Sequence, residues 1–310
     1  MLGRVFAIAM NTYREAVRAR ILLGLLAFAL ATSAYSLVIA AMSVRQEMRI
    51  VADLGAGSIS LLAVFVTIVL GATSLYRELE LKTIFPILTR KLRRHEYVVG
   101  KYLGIFATLL VFVAVDGAAV LAILAVQSKQ NVELTIGIAI GMLAALGLLL
   151  WRARHARSFV LLPWSLVLFV VMYFASAGAG PERQVLAVSS LLTLAEVAII
   201  AAIAMLFSAF SSPFLTAIFT LWLFLIGRSA DTLGNIPARL FGEGVRTAGM
   251  VLAKIVPNLN VYVPARPVLL GHLPHVTVAG YLGRAWLNAI LYAAVLLTLS
   301  AIVFRRRDFQ

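Results

Sequence analysis

YLGIFATLLVFVAVDGAAVLAILAV, residues 102–126, contains a single charged side chain, Asp116. As a helix, a stretch of this length crosses the roughly 30 Å hydrocarbon core of a bilayer. The whole chain of 310 residues is 62% hydrophobic with a mean hydropathy of +1.00, whereas a soluble domain is about half apolar. Seven more apolar runs occur, at about 21–42, 57–76, 134–151, 158–176, 186–209, 213–230 and 281–304. These runs predict an all-α polytopic membrane protein with one transmembrane domain over residues 1–310.

Basic residues orient these runs, because cytoplasmic loops of membrane proteins collect Lys and Arg. If the N-terminus is cytoplasmic, 17 of the 27 Lys and Arg residues fall in inner segments. An even number of crossings then places both termini in the cytoplasm. The formal net charge of +14 is explained by this topology, and no nucleic-acid partner is expected. We therefore expect a multi-pass protein of the cytoplasmic (inner) membrane.

Three segments differ from the other membrane-crossing runs: an amphipathic N-terminus, a hairpin and a proline-rich loop. Residues 1–20 alternate apolar and basic side chains at helical spacing, which favours an interfacial amphipathic helix over an ordinary cytosolic leader. Residues 131–184 contain a tight hairpin of two apolar runs, which can be removed without changing the orientation of the other six. Its first run contains Gly137-x-x-x-Gly141, a spacing that lets helix backbones approach. The loop 231–280 has five prolines and is predicted to form short helices on, or dipping into, the outer leaflet.

The most highly charged segment is 77–101, which is cytoplasmic in this topology. Acidic and basic side chains lie there on both sides of the apolar patch Ile84–Leu88. A loop that only touched lipid head groups would need neither the carboxylates nor the apolar patch. A short amphipathic helix that docks into a groove on a cytosolic protein would need both, since apolar anchors supply affinity and charges set the register.

The motifs of this segment resemble a known family, the ABC type-2 permeases, which are the membrane subunits of ATP-binding-cassette exporters. The resemblance is carried by Glu78-x-Glu80-x-Lys82-Thr83, Leu88-Thr89-Arg90, Arg94-x-Glu96-Tyr97 and Gly100-Lys101-Tyr102-Leu103-Gly104. The N-terminal helix is similar to the family's elbow helix. The Phe207–Pro213 turn and the Phe304–Phe309 ending are also similar to family features.

The resemblance implies a six-helix ABC exporter core with an extra transmembrane hairpin and an amphipathic N-terminal elbow helix. It also implies a cytosolic ABC ATPase subunit as partner and a second permease copy or homologue that completes a dimer. The residues expected to contact the ATPase are Glu78, Glu80, Thr83, Arg90 and Arg94. Transport would be export, driven by ATP hydrolysis in the partner, so ATP and Mg²⁺ would be bound there and no cofactor is expected in this chain.

The chain lacks a phosphate-binding loop of its own. The only Gly-Lys pair, Gly100–Lys101, is preceded by His95 where the motif needs Gly, and Tyr102 follows it. The His272-x-x-His275 pair has Pro274 between its members and no adjacent carboxylate or Cys, so no metal site is expected. We therefore expect a non-catalytic subunit.

Two carboxylates, Asp116 and Glu196, lie within predicted spans. Each costs roughly 2.5–3.5 kcal/mol at mid-membrane when it faces lipid, so both are expected to face the bundle interior. They then form either a polar path for a substrate or hydrogen bonds between neighbouring helices. Arg228, near the outer end of its span, can extend its side chain to the interface.

Two functions of other classes stay open from the residues. One is an intramembrane enzyme acting on lipid, with Asp116, Glu196 or the outer histidines as its site. The other is a membrane anchor that recruits cytosolic machinery through residues 77–101 and transports nothing.

Overall fold

The computed structural model describes residues 2–43, 46–80, 93–130, 132–153, 157–235 and 238–306. These residues form twelve α-helices and two short 3₁₀ turns, with no β-strand among them. The helices are α1 Leu2–Arg18, α2 Arg20–Ala41, α3 Glu47–Glu80, α4 Arg94–Gln127, α5 Val132–Arg152, α6 Arg157–Ala175, α7 Pro181–Ser208, α8 Pro213–Arg228, α9 Ala230–Gly234, α10 Ala238–Ile255, α11 Arg266–Leu269 and α12 Val278–Arg306.

Seven of these helices, α2 to α7 and α12, are long and apolar enough to cross a membrane. Each coincides with one of the predicted apolar runs, so the prediction of an all-helical, multi-pass membrane protein is confirmed at this level. The eighth run forms α8, which has 16 residues and is shorter than the other seven. At 1.5 Å per residue, α8 is about 24 Å long, compared with about 42 Å for α7.

Helix α7 lies at the centre of the bundle, and α3, α4, α8 and α12 pack around it. Small residues permit this close packing. A Cβ added at Gly71 of α3 would lie 2.4 Å from the Cβ of Ala204 on α7. The buried residues of α7 are spread around the helix from Val185 to Ser208 rather than along one stripe, as expected for an enclosed helix.

The predicted inserted hairpin lies at the edge of the bundle. Its second helix, α6, packs on α4, where the Phe169 ring contacts Gly117. Its first helix, α5, has Thr135 as its buried residue, and its other residues are partly or fully exposed. A Cβ added at Gly137 or Gly141 would meet no atom within 4 Å, so this glycine pair does not join helices within the described chain. That the hairpin is an insertion stays a prediction.

A different glycine pair brings two helices together. Helix α1 crosses the start of α4, and a Cβ at Gly104 would lie 2.4 Å from the backbone oxygen of Ala9. At Gly100, four residues earlier, the same addition would lie 2.8 Å from the Ile8 side chain. The predicted amphipathic helix is present, with Tyr13 and Ala16 buried against the bundle and Phe6 63% exposed. Its apolar residues therefore divide between a face on the protein and a face on the surroundings.

The segment between α8 and α12 folds back into the bundle. Leu259 and Tyr262 are fully buried, and the Tyr262 hydroxyl donates to the Ala285 carbonyl at 3.3 Å. Gly227, at the end of α8, makes room for this return, because a Cβ there would lie 2.8 Å from the Pro257 oxygen. Asp231 fixes the return by accepting hydrogen bonds from the side-chain amides of Asn258 and Asn260, each at 2.6 Å.

The helices define two ends of the bundle. One end, which we call the clamp end, holds Ser74, the first turns of α4, and Phe304 of α12. The opposite end, which we call the cavity end, holds the first turns of α3 and α7 and the returning segment. Residues 53 and 74 of α3 are separated by about 30 Å of helix, the thickness of the hydrocarbon core. Both termini of the described chain lie at the clamp end, where Arg4 approaches Glu96 and Arg94 contacts Phe304.

Candidate functional site

The segment predicted to contact an ATPase lies only partly within the described residues. Thr83 and Arg90 lie outside them. Glu78 and Glu80 lie in the last turns of α3, and their side chains are outside the described part of the chain. Arg94, the first residue of α4, is described, and its Nη1 donates a 3.0 Å hydrogen bond to the Phe304 carbonyl. The contacts that surround the segment are therefore the observable part of this site.

Lys101 of α4, which follows the segment, contacts the end of α3, which precedes it. Its side chain is only 2% exposed, and its Nζ donates to the Ser74 carbonyl and, at 3.4 Å, to the Ser74 hydroxyl. The Tyr97 ring lies 5.4 Å from the same Nζ. A buried ammonium group needs such partners because desolvation would otherwise be costly. Lys101 thereby fixes the end of α3 against the start of α4.

On the C-terminal flank, Glu96 is 3% exposed and closes the first turn of α4. Its Oε2 accepts from the Arg93 backbone N–H at 3.4 Å, which satisfies a donor that the helix leaves open. Arg4 of α1 approaches the same oxygen at 4.0 Å. This contact adds α1 to the contacts that hold the first turn of α4.

Aromatic packing adds the last helix to this arrangement. The rings of Tyr97 and Phe304 stack with their centroids 6.0 Å apart, beside the hydrogen bond from Arg94 to Phe304. The ends of α3, α4 and α12, together with α1, form a clamp around both flanks of residues 81–92. We define the clamp by Arg4, Ser74, Arg94, Glu96, Tyr97, Lys101 and Phe304.

Glu196 faces the bundle interior, as predicted, and it is fully buried. Its partner is Arg228, whose Nε donates to Oε1 at 2.7 Å and whose Nη2 donates to Oε2 at 2.9 Å. Ser60 of α3 completes the group by accepting from Arg228 Nη2 at 2.8 Å and donating to Glu196 Oε2 at 3.3 Å. The pair is bidentate, the geometry in which Arg binds a carboxylate most strongly.

The Arg228 guanidinium group is bound to Glu196, and the side chain is 25% exposed at the end of α8. Helix α8 is shorter than α7, so its last residue, Arg228, lies beside Glu196 near the middle of α7. A signal for this pairing was present in the sequence. Glu196 lies 12 residues before the end of α7, and Arg228 lies 15 residues after the start of α8, so the two antiparallel helices bring them to similar depth.

Asp116 is also fully buried and faces the interior, as predicted. Its Oδ1 accepts a 3.0 Å hydrogen bond from Ser33 of α2, and its Oδ2 makes no hydrogen bond within the described residues. Asp116 thus joins α2 to α4, whereas Glu196 joins α7 to α8 and α3. That these two carboxylates form one polar path stays a prediction.

The geometry defines the class of the molecule as an all-helical, multi-pass membrane protein with buried polar links between its helices. No protein-family model matches the chain, and no curated protein matches it. Within the described residues, no three or more His, Asp or Glu side chains are grouped as a metal would require.

Proposed function

We propose that this chain is the membrane-spanning permease subunit of an ABC transporter. In this proposal it exports a substrate, ATP hydrolysis takes place in a separate cytosolic subunit, and two permease chains pair to enclose the path. The clamp end is then cytoplasmic, with both termini inside and the chain integral to the cytoplasmic membrane.

The observation that carries the proposal is the clamp around residues 81–92. A segment that transmits force must be attached to the helices that move, and here both flanks are attached. The Lys101–Ser74 contacts hold the end of α3, while Arg94 and Tyr97 hold the end of α12. A displacement applied to the segment therefore reaches three long helices at once, and packed helices shift as rigid units.

The charge pattern of the segment supports the same reading. Glu78 and Glu80 can pair with basic groups on an ATPase, and Arg90 and Arg94 can contact carboxylates through bidentate hydrogen bonds. Thr83 lies between these two groups in the sequence. Docking would bury the apolar patch that lies within the same segment.

Charge reversal tests the proposal directly. The Glu78→Lys/Glu80→Lys variant is expected to lose co-purification of an ATPase subunit in mild detergent, together with the ATPase activity that the complex carries. The matched control is Glu243→Lys, because Glu243 on α10 has a 79% exposed side chain. The control is expected to co-purify the ATPase like the unmodified chain.

The outcomes separate this proposal from its two rivals. A lipid-acting enzyme would retain turnover on lipid without ATP or partner, and neither reversal would change it. A membrane anchor would lose its cytosolic partner with the reversal at 78 and 80, but that partner would hydrolyse no ATP. Retention of a functional ATPase by the doubly reversed chain would refute the permease proposal.

A further inference from the structure

A cavity of about 530 Å³ lies at the cavity end of the bundle. Its volume is within the range of small-molecule binding sites, which is roughly 300–1,000 Å³. Helices α3, α7 and α8 form its walls, and the returning segment with α11 covers it. Its charged and polar lining includes Asp53, Ser60, Ser189, Thr193, Arg228 and Arg266.

The ionic groups on the cavity wall are mostly cationic. Arg228 lines the cavity with a 25% exposed side chain, while its partner Glu196 is fully buried behind it. At the rim, Arg266 binds Asp53 through Nη1 at 2.7 Å and Glu182 through Nη2. Of these five charged residues, the cavity wall holds two guanidinium groups and one carboxylate. The lining therefore presents two guanidinium groups and one carboxylate to a ligand, while Glu196 and Glu182 behind them bring the net charge of the five groups to −1.

Arg228 keeps hydrogen-bonding capacity for a ligand. Its Nε and Nη2 are bound to Glu196 and Ser60, and its Nη1 makes no hydrogen bond within the described residues. Ser189 and Thr193, one turn apart on α7, also line the cavity, and their hydroxyls have no hydrogen-bond partner among the described residues. These groups form a polar corner next to the guanidinium group.

The remainder of the cavity is apolar and reaches the side of the bundle. Leu61 on α3 and Val263 in the returning segment line it, with 53% and 46% of their surfaces exposed. Val185, Phe224 and Leu269 continue the apolar lining inside. A molecule that fills both parts needs a head group that accepts hydrogen bonds and an apolar tail.

We propose that this cavity binds an amphiphile with an acidic head group and an acyl tail. The carboxylate or phosphate accepts hydrogen bonds from Arg228 Nη1, and the tail leaves the cavity along Leu61 and Val263. The head group could come from a free fatty acid or from a membrane phospholipid, which share this chemistry. The inference does not rest on the proposed function, because binding is measured on the purified chain alone.

A pair of glycines allows a matched test. Gly57 lines the cavity on α3, and a Cβ there would meet no atom within 4 Å, so Gly57→Leu fills the cavity without a clash at Cβ. Gly137 on α5 is equally open and lies away from the cavity, so Gly137→Leu is the control. Both changes replace Gly by a better helix former, so their effects on folding should be similar.

The purified chain is labelled with a photoreactive palmitic acid, with the alcohol of the same chain length, and with a phosphatidic acid that carries the same photoreactive chain. Labelled peptides are identified by mass spectrometry. We expect the acid to label residues around 57–61 and 260–269 at least about tenfold more than the alcohol, from the strength of charged hydrogen bonds. Gly57→Leu should remove most of this labelling, and Gly137→Leu should leave it unchanged.

A second variant tests the role of the guanidinium group. Arg228→Gln/Glu196→Gln removes both charges together, so no unpaired buried ion remains, and it should bring labelling by acid and alcohol close to parity. Preference for palmitic acid would identify a free acid as the ligand, and preference for phosphatidic acid would identify a phospholipid. Equal labelling by acid and alcohol in the unmodified chain, or undiminished labelling in Gly57→Leu, would overturn the proposal.

Discussion

Removal of the Arg228 guanidinium should be among the most damaging single changes in this protein. Arg228→Met keeps a long apolar stem but leaves Glu196, which is fully buried, without its ionic partner. Loss of one member of a buried ion pair costs about 3–5 kcal/mol, because the remaining charge is desolvated and uncompensated. The same change also removes the hydrogen bond from Arg228 to Ser60.

A double-mutant cycle separates the ion pair from local packing. Arg228→Met/Glu196→Gln leaves no buried charge, so most of the lost free energy of unfolding should return. We expect a coupling energy above about 2 kcal/mol, because hydrogen bonds between neutral groups in membrane helices reach only about 1.7 kcal/mol. Ser60→Ala, which removes one hydroxyl from the group, should cost about 0.5–1.5 kcal/mol.

The free energy of unfolding can be measured by denaturant titration in detergent micelles, with tryptophan fluorescence and circular dichroism as independent signals. Coincident transitions would justify a two-state treatment. An Arg228→Met variant that loses less than about 1 kcal/mol would contradict the structure. So would a double variant whose loss equals the sum of the two single losses, since additivity means that the residues do not interact.

Two further changes test other contacts. Gly104→Ala places a Cβ 2.4 Å from the Ala9 oxygen, so it should lower the free energy of unfolding by about 1–3 kcal/mol. It should also make the peptide bonds after Arg14 and Arg18 of α1 more sensitive to trypsin. Gly137→Ala, where the added Cβ meets no atom, should change neither quantity. Tyr13→Phe removes a buried hydroxyl that has no hydrogen-bond partner within the described residues. The free energy of unfolding should therefore stay the same or rise by up to about 1 kcal/mol. A decrease of more than about 1 kcal/mol would mean that the hydroxyl has a hydrogen-bond partner. Burial raises the pKa of Tyr13 to about 12, so the unfolded chain loses the phenol proton at a lower pH than the folded chain. The unmodified chain should therefore lose stability as the pH rises from about 10 to 12, and Tyr13→Phe should make this loss smaller.

The helical architecture could be predicted from the sequence because apolar runs of membrane length have few alternative structures. In a bilayer, backbone groups must be paired within the segment, so an apolar run such as 102–126 becomes a helix. The same argument correctly placed Asp116 and Glu196 in the interior. Burial follows from the solvation cost of a carboxylate, and this cost requires no knowledge of the partner.

Partner choice was harder to predict because it depends on relative helix depth. Arg228 pairs with Glu196 only because α8 is short and the chain turns back at Gly227. Glycine spacing was also ambiguous. The Gly137 and Gly141 pair has the same i, i+4 separation as Gly100 and Gly104, but only the second pair has a helix across it. The glycine spacing indicates where a second helix can approach closely, but it does not indicate whether a second helix lies there.

The contact between Arg94 and Phe304 joins residues that are 210 positions apart in the chain. At 5–20 residues per second, about 10–40 s of synthesis separate the two. The clamp is therefore incomplete while the ribosome is still making the middle of the protein. Under the proposed function, a cytosolic subunit that binds the complete clamp could do so only after the last helix has been made, so ATP hydrolysis would not be coupled to an incompletely synthesised membrane domain.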